Sequence, residues 1–154
     1  MNWAHAHLIV NHVPVMGAGF ALLLLLWGLR KRSPEVQDAA LGGWVLTALA
    51  AGAAYLTGSY AGDLVQTLPG VVGSRIATHE EAALLALISA IATGLLAAVG
   101  LIVGRKRGGT PRWCTLGSLL LGVLTCLLMA RAANLGGEIR LPEARWGFRF
   151  PSAG

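Results

Sequence analysis

Four long apolar runs, almost free of charge, constrain this chain more than any other feature. They extend from about His7 to Leu29, Ala39 to Gly62, His79 to Gly104 and Trp113 to Gly136. Each reaches the ~20 residues needed to cross a bilayer's hydrocarbon core. Runs of this length are the mark of membrane spans rather than of a globular interior. The composition agrees, with 55% hydrophobic and 12% charged residues, about half the charged fraction of an ordinary soluble domain. The expected fold is therefore all-α: an integral membrane four-helix up-down bundle, forming a single domain over residues 1–154.

The charges orient the bundle. Arg30, Lys31 and Arg32 lie in the first loop, and Arg105, Lys106, Arg107 and Arg112 in the third. No aromatic residues interleave with these clusters, so the net charge of +5 is a topology signal and not a nucleic-acid footprint. The positive-inside rule puts loops 1 and 3 in the cytoplasm and both termini outside. Arg140, Arg145 and Arg149 on the outer side form a smaller excess.

Local signals set the expected helix ends. Pro14 removes one backbone hydrogen bond and kinks the first helix beside His12. Ser33-Pro34 reads as a break, with Asp38 as the N-cap of the second helix. The first segment has no basic n-region and reads as a retained span, not a cleavable signal. Cys114 and Cys126 are twelve residues apart on one helix, ~18 Å by helical rise, so they cannot bridge. The small residues Ala50, Ala54, Gly58 and Ala61, and Ala83, Ala86, Ala90, Gly94 and Ala97, form stripes that let helices approach closely. No internal repeat is evident.

The polar residues gather at one end. His5, His7, Asn11 and His12 open span 1; Tyr60 and Asp63 end span 2; His79, Glu80 and Glu81 open span 3; Arg131, Asn134 and Glu138 end span 4. Polar groups at membrane depth are expensive and read as functional by default. Seven residues separate His5 from His12, which puts them on one face; His7, Asn11 and Pro14 share another. The interfacial alternative stays open for each histidine, and it is the preferred one for His5. Tyr60, Trp3 and Trp146 fit an aromatic belt.

Imidazole ligates iron, copper and zinc well. Two histidines on facing helices can hold a b-type haem, with Arg131, Arg75 and Asn134 placed to receive its propionates. Measured from mid-span, His12 lies ~10 Å out, His7 ~18 Å and His79 ~21 Å. Height pairs His7 with His79, whereas depth of burial favours His12. The balance goes to His12 with His79, and His7 is the substitute for either. Covalent c-type attachment is excluded, since there is no Cys-x-x-Cys-His. The connection from Asp63 to Thr78 holds Leu68-Pro69-Gly70 and is expected to lie over this cluster as a lid or as a passive interfacial segment. The tail after Glu138 suits an interface or a docked partner.

Several segments together resemble an uncharacterised family of small bacterial four-span membrane proteins. They are His7-Leu8-Ile9-Val10-Asn11-His12-Val13-Pro14-Val15-Met16-Gly17, Tyr55-Leu56-Thr57-Gly58, Leu68-Pro69-Gly70, His79-Glu80-Glu81-Ala82-Ala83 and Ala133-Asn134-Leu135-Gly136-Gly137-Glu138-Ile139-Arg140. The resemblance covers nearly the whole chain and implies the four-span fold in a bacterial inner membrane. It attaches no activity. It marks His7, Asn11, His12, His79, Asn134, Gly136, Gly137 and Arg140, but not His5. The chain departs from the family at Leu141, where members carry a histidine before Pro142-Glu143; this tells against two haems and leaves room for one site.

Three functions follow as expectations. The leading one is a b-type cytochrome-like protein that binds haem b and passes electrons at the periplasmic face, with a quinol or a larger respiratory complex as partner. The second is a non-haem copper, zinc or iron site built from His7, His12 and His79 with Glu80, Glu81 or Asp63. The third is a metal-free structural subunit of a membrane complex. No nucleophile elbow, zinc-protease helix or phosphate loop is present.

Overall fold

A computed structural model describes residues 2–69 and 71–141. It is helical throughout, with no strand among these residues: α1 Trp3–Val10, α2 His12–Lys31, α3 Pro34–Val65, α4 Gly73–Arg107 and α5 Arg112–Arg140. With α1 and α2 counted as one interrupted segment, four helices are long and apolar enough to cross a membrane. The shortest has 28 residues, ~42 Å by helical rise, longer than a ~30 Å hydrocarbon core.

Local chemistry explains the ends. Asn2 caps α1 by accepting from the His5 N–H at 2.9 Å. The helix then breaks at Asn11, because Pro14 has no N–H to give the Val10 carbonyl and its ring crowds that carbonyl. Arg32 ends α2 in the left-handed region, at φ 53, and Ser33 N–H returns to Gly28 O at 3.0 Å.

Two expected boundaries move. Ser33, not Asp38, is the N-cap of α3, and Pro34 starts the helix. Proline suits the first turn, where its missing N–H would have no partner anyway. Asp38 instead accepts from Thr110 Oγ1 at 2.6 Å, which ties the start of α3 to the entry of α5. The connection between α3 and α4 is also shorter than the sixteen residues expected. Helix α3 runs on through Val65 and α4 begins at Gly73, so only residues 66–72 link them.

The core is made of small side chains. Pro14, Ala18, Ala21, Leu25 and Gly28 on α2 meet Ala40, Leu41, Trp44, Thr47, Ala51 and Ala54 on α3. Helix α3 also packs on α4, α4 on α5, and α5 back on α2, while α1 lies mainly against α3. Among the described residues, Trp44 is the one large ring at the centre, and it is fully buried. It fits because α5 presents Gly122, where a Cβ would sit 2.4 Å from the ring's Cζ2. The large apolar residues Phe20, Leu46, Leu49, Leu95, Leu120 and Leu127 point outward. Small residues inside and large apolar ones outside is a poor arrangement in water and a natural one in lipid. The chain is a multi-pass membrane protein.

Buried hydroxyls cross-link the middle of the bundle. Ser89 Oγ and Thr125 Oγ1 lie 2.8 Å apart, and Thr93 Oγ1 is 3.0 Å from Thr125 Oγ1. Thr125 gives its own proton to the Leu121 carbonyl, so Ser89 is the donor across the α4–α5 contact.

Candidate functional site

Helical phase decides which histidines enter the bundle. The buried seam of α2 runs through Pro14, Ala18, Ala21, Leu25 and Gly28. Stepping back by three and four residues reaches Asn11 and His7, so these two continue it onto α1. On α4 the seam Ile76, Ala82 and Ala86 includes His79 between its first two members. Both histidines are accordingly half-buried. His12 lies off the seam. Its ring is exposed, and its Nδ1 is 3.1 Å from Leu8 O of its own segment. Depth led to the expectation that His12 is the better buried ring; the structure exposes it instead, because it lies off the packed seam. His5 is exposed too.

His7 and His79 are held alike. His7 Nδ1 lies 3.0 Å from the Ala54 carbonyl on α3, and His79 Nδ1 lies 3.0 Å from the Ala132 carbonyl on α5. A carbonyl only accepts, so Nδ1 carries the hydrogen in both rings, and in the neutral ring Nε2 keeps its lone pair. Each ring also lies over the glycine one turn further on. A Cβ at Gly58 would be 3.0, 3.3 and 3.6 Å from His7 Cε1, Nδ1 and Nε2, and a Cβ at Gly136 would meet the same atoms of His79 at the same distances.

Ala54-Tyr55-Leu56-Thr57-Gly58 on α3 does for His7 of α1 what Ala132-Ala133-Asn134-Leu135-Gly136 on α5 does for His79 of α4. The shared signal is an alanine followed four residues later by glycine, a spacing that also occurs at Ala39/Gly43, Ala48/Gly52, Ala90/Gly94 and Ala133/Gly137 and so does not stand out without the facing ring. The segments share only the alanine and the glycine, and one of their three differences touches the ring. Thr57 Oγ1 lies 3.3 Å from His7 Nδ1, where the His79 copy has Leu135.

Around this pair, Asn11 Oδ1 is buried without a hydrogen-bond partner among the described residues. Arg75, one turn before His79, donates to Glu138 Oε2 at 3.2 Å, and Asn134 Nδ2 donates to Glu138 Oε1 at 2.9 Å. Two of the three groups expected to receive propionates are thus engaged by Glu138; Arg131 is exposed on α5. Asp63, Glu80 and Glu81 are exposed. Among the described residues, no three of His, Cys, Asp or Glu converge as ligands for a metal ion. Trp3 and Tyr60 stack with centroids 4.8 Å apart. The side chain of Arg140 and the tail carrying Arg145, Trp146 and Arg149 lie outside the described residues.

No family model matches the chain, and no curated protein or solved structure matches it either.

Proposed function

We propose that the chain is a b-type cytochrome-like protein of a bacterial inner membrane, with haem b held between His7 and His79 at the periplasmic end. The observation that carries this is the matched pair of Nδ1–H···O=C bonds at 3.0 Å. Ligating histidines characteristically give their second ring N–H to a carbonyl or carboxylate, which fixes the tautomer and makes the ligating nitrogen more basic. Both rings meet that condition on half-buried faces of their helices.

The number of donors favours haem over a bare ion. Zinc and copper sites take three or four protein ligands, whereas haem takes two axial ones. His7 and His79 supply two. When bound, haem supplies one-electron chemistry. The protein residues hold it, orient it and set its exposure. Arg131 is the cation placed toward the interface for a propionate, and Asn11 Oδ1 is an uncommitted acceptor one turn from His7.

The supporting topology is up-down. His7 meets Gly58 near the end of α3, and His79 meets Gly136 near the end of α5. Arg30 to Arg32 and Arg105 to Arg107 fall at the opposite ends, so the positive-inside rule assigns the histidine end to the periplasm. A quinol or a larger respiratory complex is the partner for such a site.

The optical spectrum of protein purified from a haem-replete host tests the proposal. A Soret band with split visible bands on reduction is expected, lost in His7→Ala and in His79→Ala and kept in His12→Ala. A colourless preparation sinks it. Stoichiometric copper, zinc or iron would then point to the bare-ion reading, and a metal-free preparation bound to other subunits to a structural role.

A further inference from the structure

The equal distances at Gly58 and Gly136 carry a step beyond ligand assignment. We propose that these glycines are matched positioning residues, each holding the neighbouring histidine in the Nδ1–H tautomer with Nε2 presented to a ligand. The step deepens the haem reading, and its test does not require that reading to hold.

The geometry leaves little slack. Carbon atoms in good contact sit about 3.5–4.0 Å apart, and a Cβ at either glycine would lie 3.0 Å from the ring's Cε1. The ring must retreat by roughly half an ångström or more to restore contact. The bond it would lose starts at 3.0 Å, and hydrogen bonds of this kind weaken steeply with stretch and misalignment. The carbonyl one turn before each glycine is therefore reachable only because the glycine has no side chain. A freed imidazole returns to its ordinary mixture of tautomers, and part of the population then carries its hydrogen on Nε2, where a ligand's metal would bind.

The copies should not respond equally. If the His7 ring shifts, Thr57 Oγ1, already 3.3 Å away, remains an oxygen acceptor for Nδ1–H. The corresponding Leu135 offers none. The His79 clamp depends more heavily on its glycine.

Nitrogen-15 spectra of histidine-labelled, full-length protein under reducing conditions, assigned with His7→Gln and His79→Gln, read the tautomers directly. At neutral pH both His7 and His79 are expected as Nδ1–H, with His5 showing the mixture of a free ring. Gly136→Ala should move His79 toward Nε2–H, and Gly58→Ala should move His7 less far. Thr57→Val combined with Gly58→Ala should bring His7 to the level of His79. Gly137→Ala, where a Cβ meets nothing within 4 Å, should leave both unchanged. Unaltered tautomers in the folded Gly58 and Gly136 variants overturn the proposal. If those variants do not fold, the wild-type spectrum decides alone, since either ring in the mixed form is enough to reject it. A wild-type pair in the Nδ1–H form without any Soret band would keep the clamp and discard the haem.

Discussion

Replacing Gly122 by alanine puts the packing of the bundle to its hardest test. The added Cβ would lie 2.4 Å from Trp44 Cζ2 and 3.1 Å from Cε2 and Cη2, roughly 1 Å short of ordinary carbon contact at the nearest atom. Trp44 is fully buried, so the ring cannot swing out and the strain falls on the α3–α5 approach. Overpacking of this kind costs about 1–3 kcal/mol. Alanine also recovers up to ~1 kcal/mol of helix propensity, which must be separated from the clash. Gly42→Ala and Gly52→Ala on α3 provide that correction, because a Cβ at either meets nothing within 4 Å. Both should gain stability, and Gly122→Ala should lie about 1–3 kcal/mol below them. Reversible unfolding in mixed micelles, followed by helical circular dichroism, measures the gap. Trp44→Phe removes the crowded part of the ring, so the gap should shrink in that background. A Gly122→Ala protein as stable as the two controls, or a gap unchanged by Trp44→Phe, would refute the claim that small residues across from Trp44 set the helix spacing.

Three further outcomes follow from the contacts. Thr125→Val strips the acceptor from Ser89 across the α4–α5 contact and should cost about 0.6–1.7 kcal/mol, the measured scale of interhelical bonds in membranes; an equal loss in a Ser89→Ala background would deny the coupling. Asp38→Asn weakens the 2.6 Å bond from Thr110 and should destabilise by about 1–2 kcal/mol, an effect absent when Thr110 is already valine. In a background lacking Cys114 and Cys126, Thr67→Cys should react with an impermeant maleimide in intact cells and Gly109→Cys only after permeabilisation; the reverse pattern would invert the topology.

The spans were legible because the number of apolar residues needed to cross a bilayer leaves little freedom, and the four expected runs lie within the four long helices. The ends were less so. Ser33-Pro34 has two meanings, a break or a cap with proline in the first turn, and only the bond from Val36 N–H to Ser33 Oγ at 3.4 Å shows which applies. Likewise the polar stretch after Asp63 is helical at both of its ends, because Asp63, Ser74 and Thr78 are exposed residues and an exposed helix end needs no apolar run. The histidine clamps were hidden for another reason. Their acceptors are main-chain carbonyls, which every residue has, so nothing in Ala54 or Ala132 announces the role.

The choice between His7 and His12 shows which kind of inference carries in a membrane bundle. Rise per residue placed His7 ~18 Å and His79 ~21 Å from mid-span, and these are the two rings held in matching clamps. Depth instead favoured His12, on the argument that a ring closer to the bilayer centre most needs a partner. Depth and burial are separate coordinates, however. A residue of a helix that faces lipid stays on the outside at any height, and His12 sits two positions from Pro14 on the seam, about 200° around the helix. It meets its need locally, through Leu8 O. Angular position on the seam of small residues, continued back from Gly28 to His7, was the stronger guide, since it follows from the same close packing that admits Trp44 opposite Gly122.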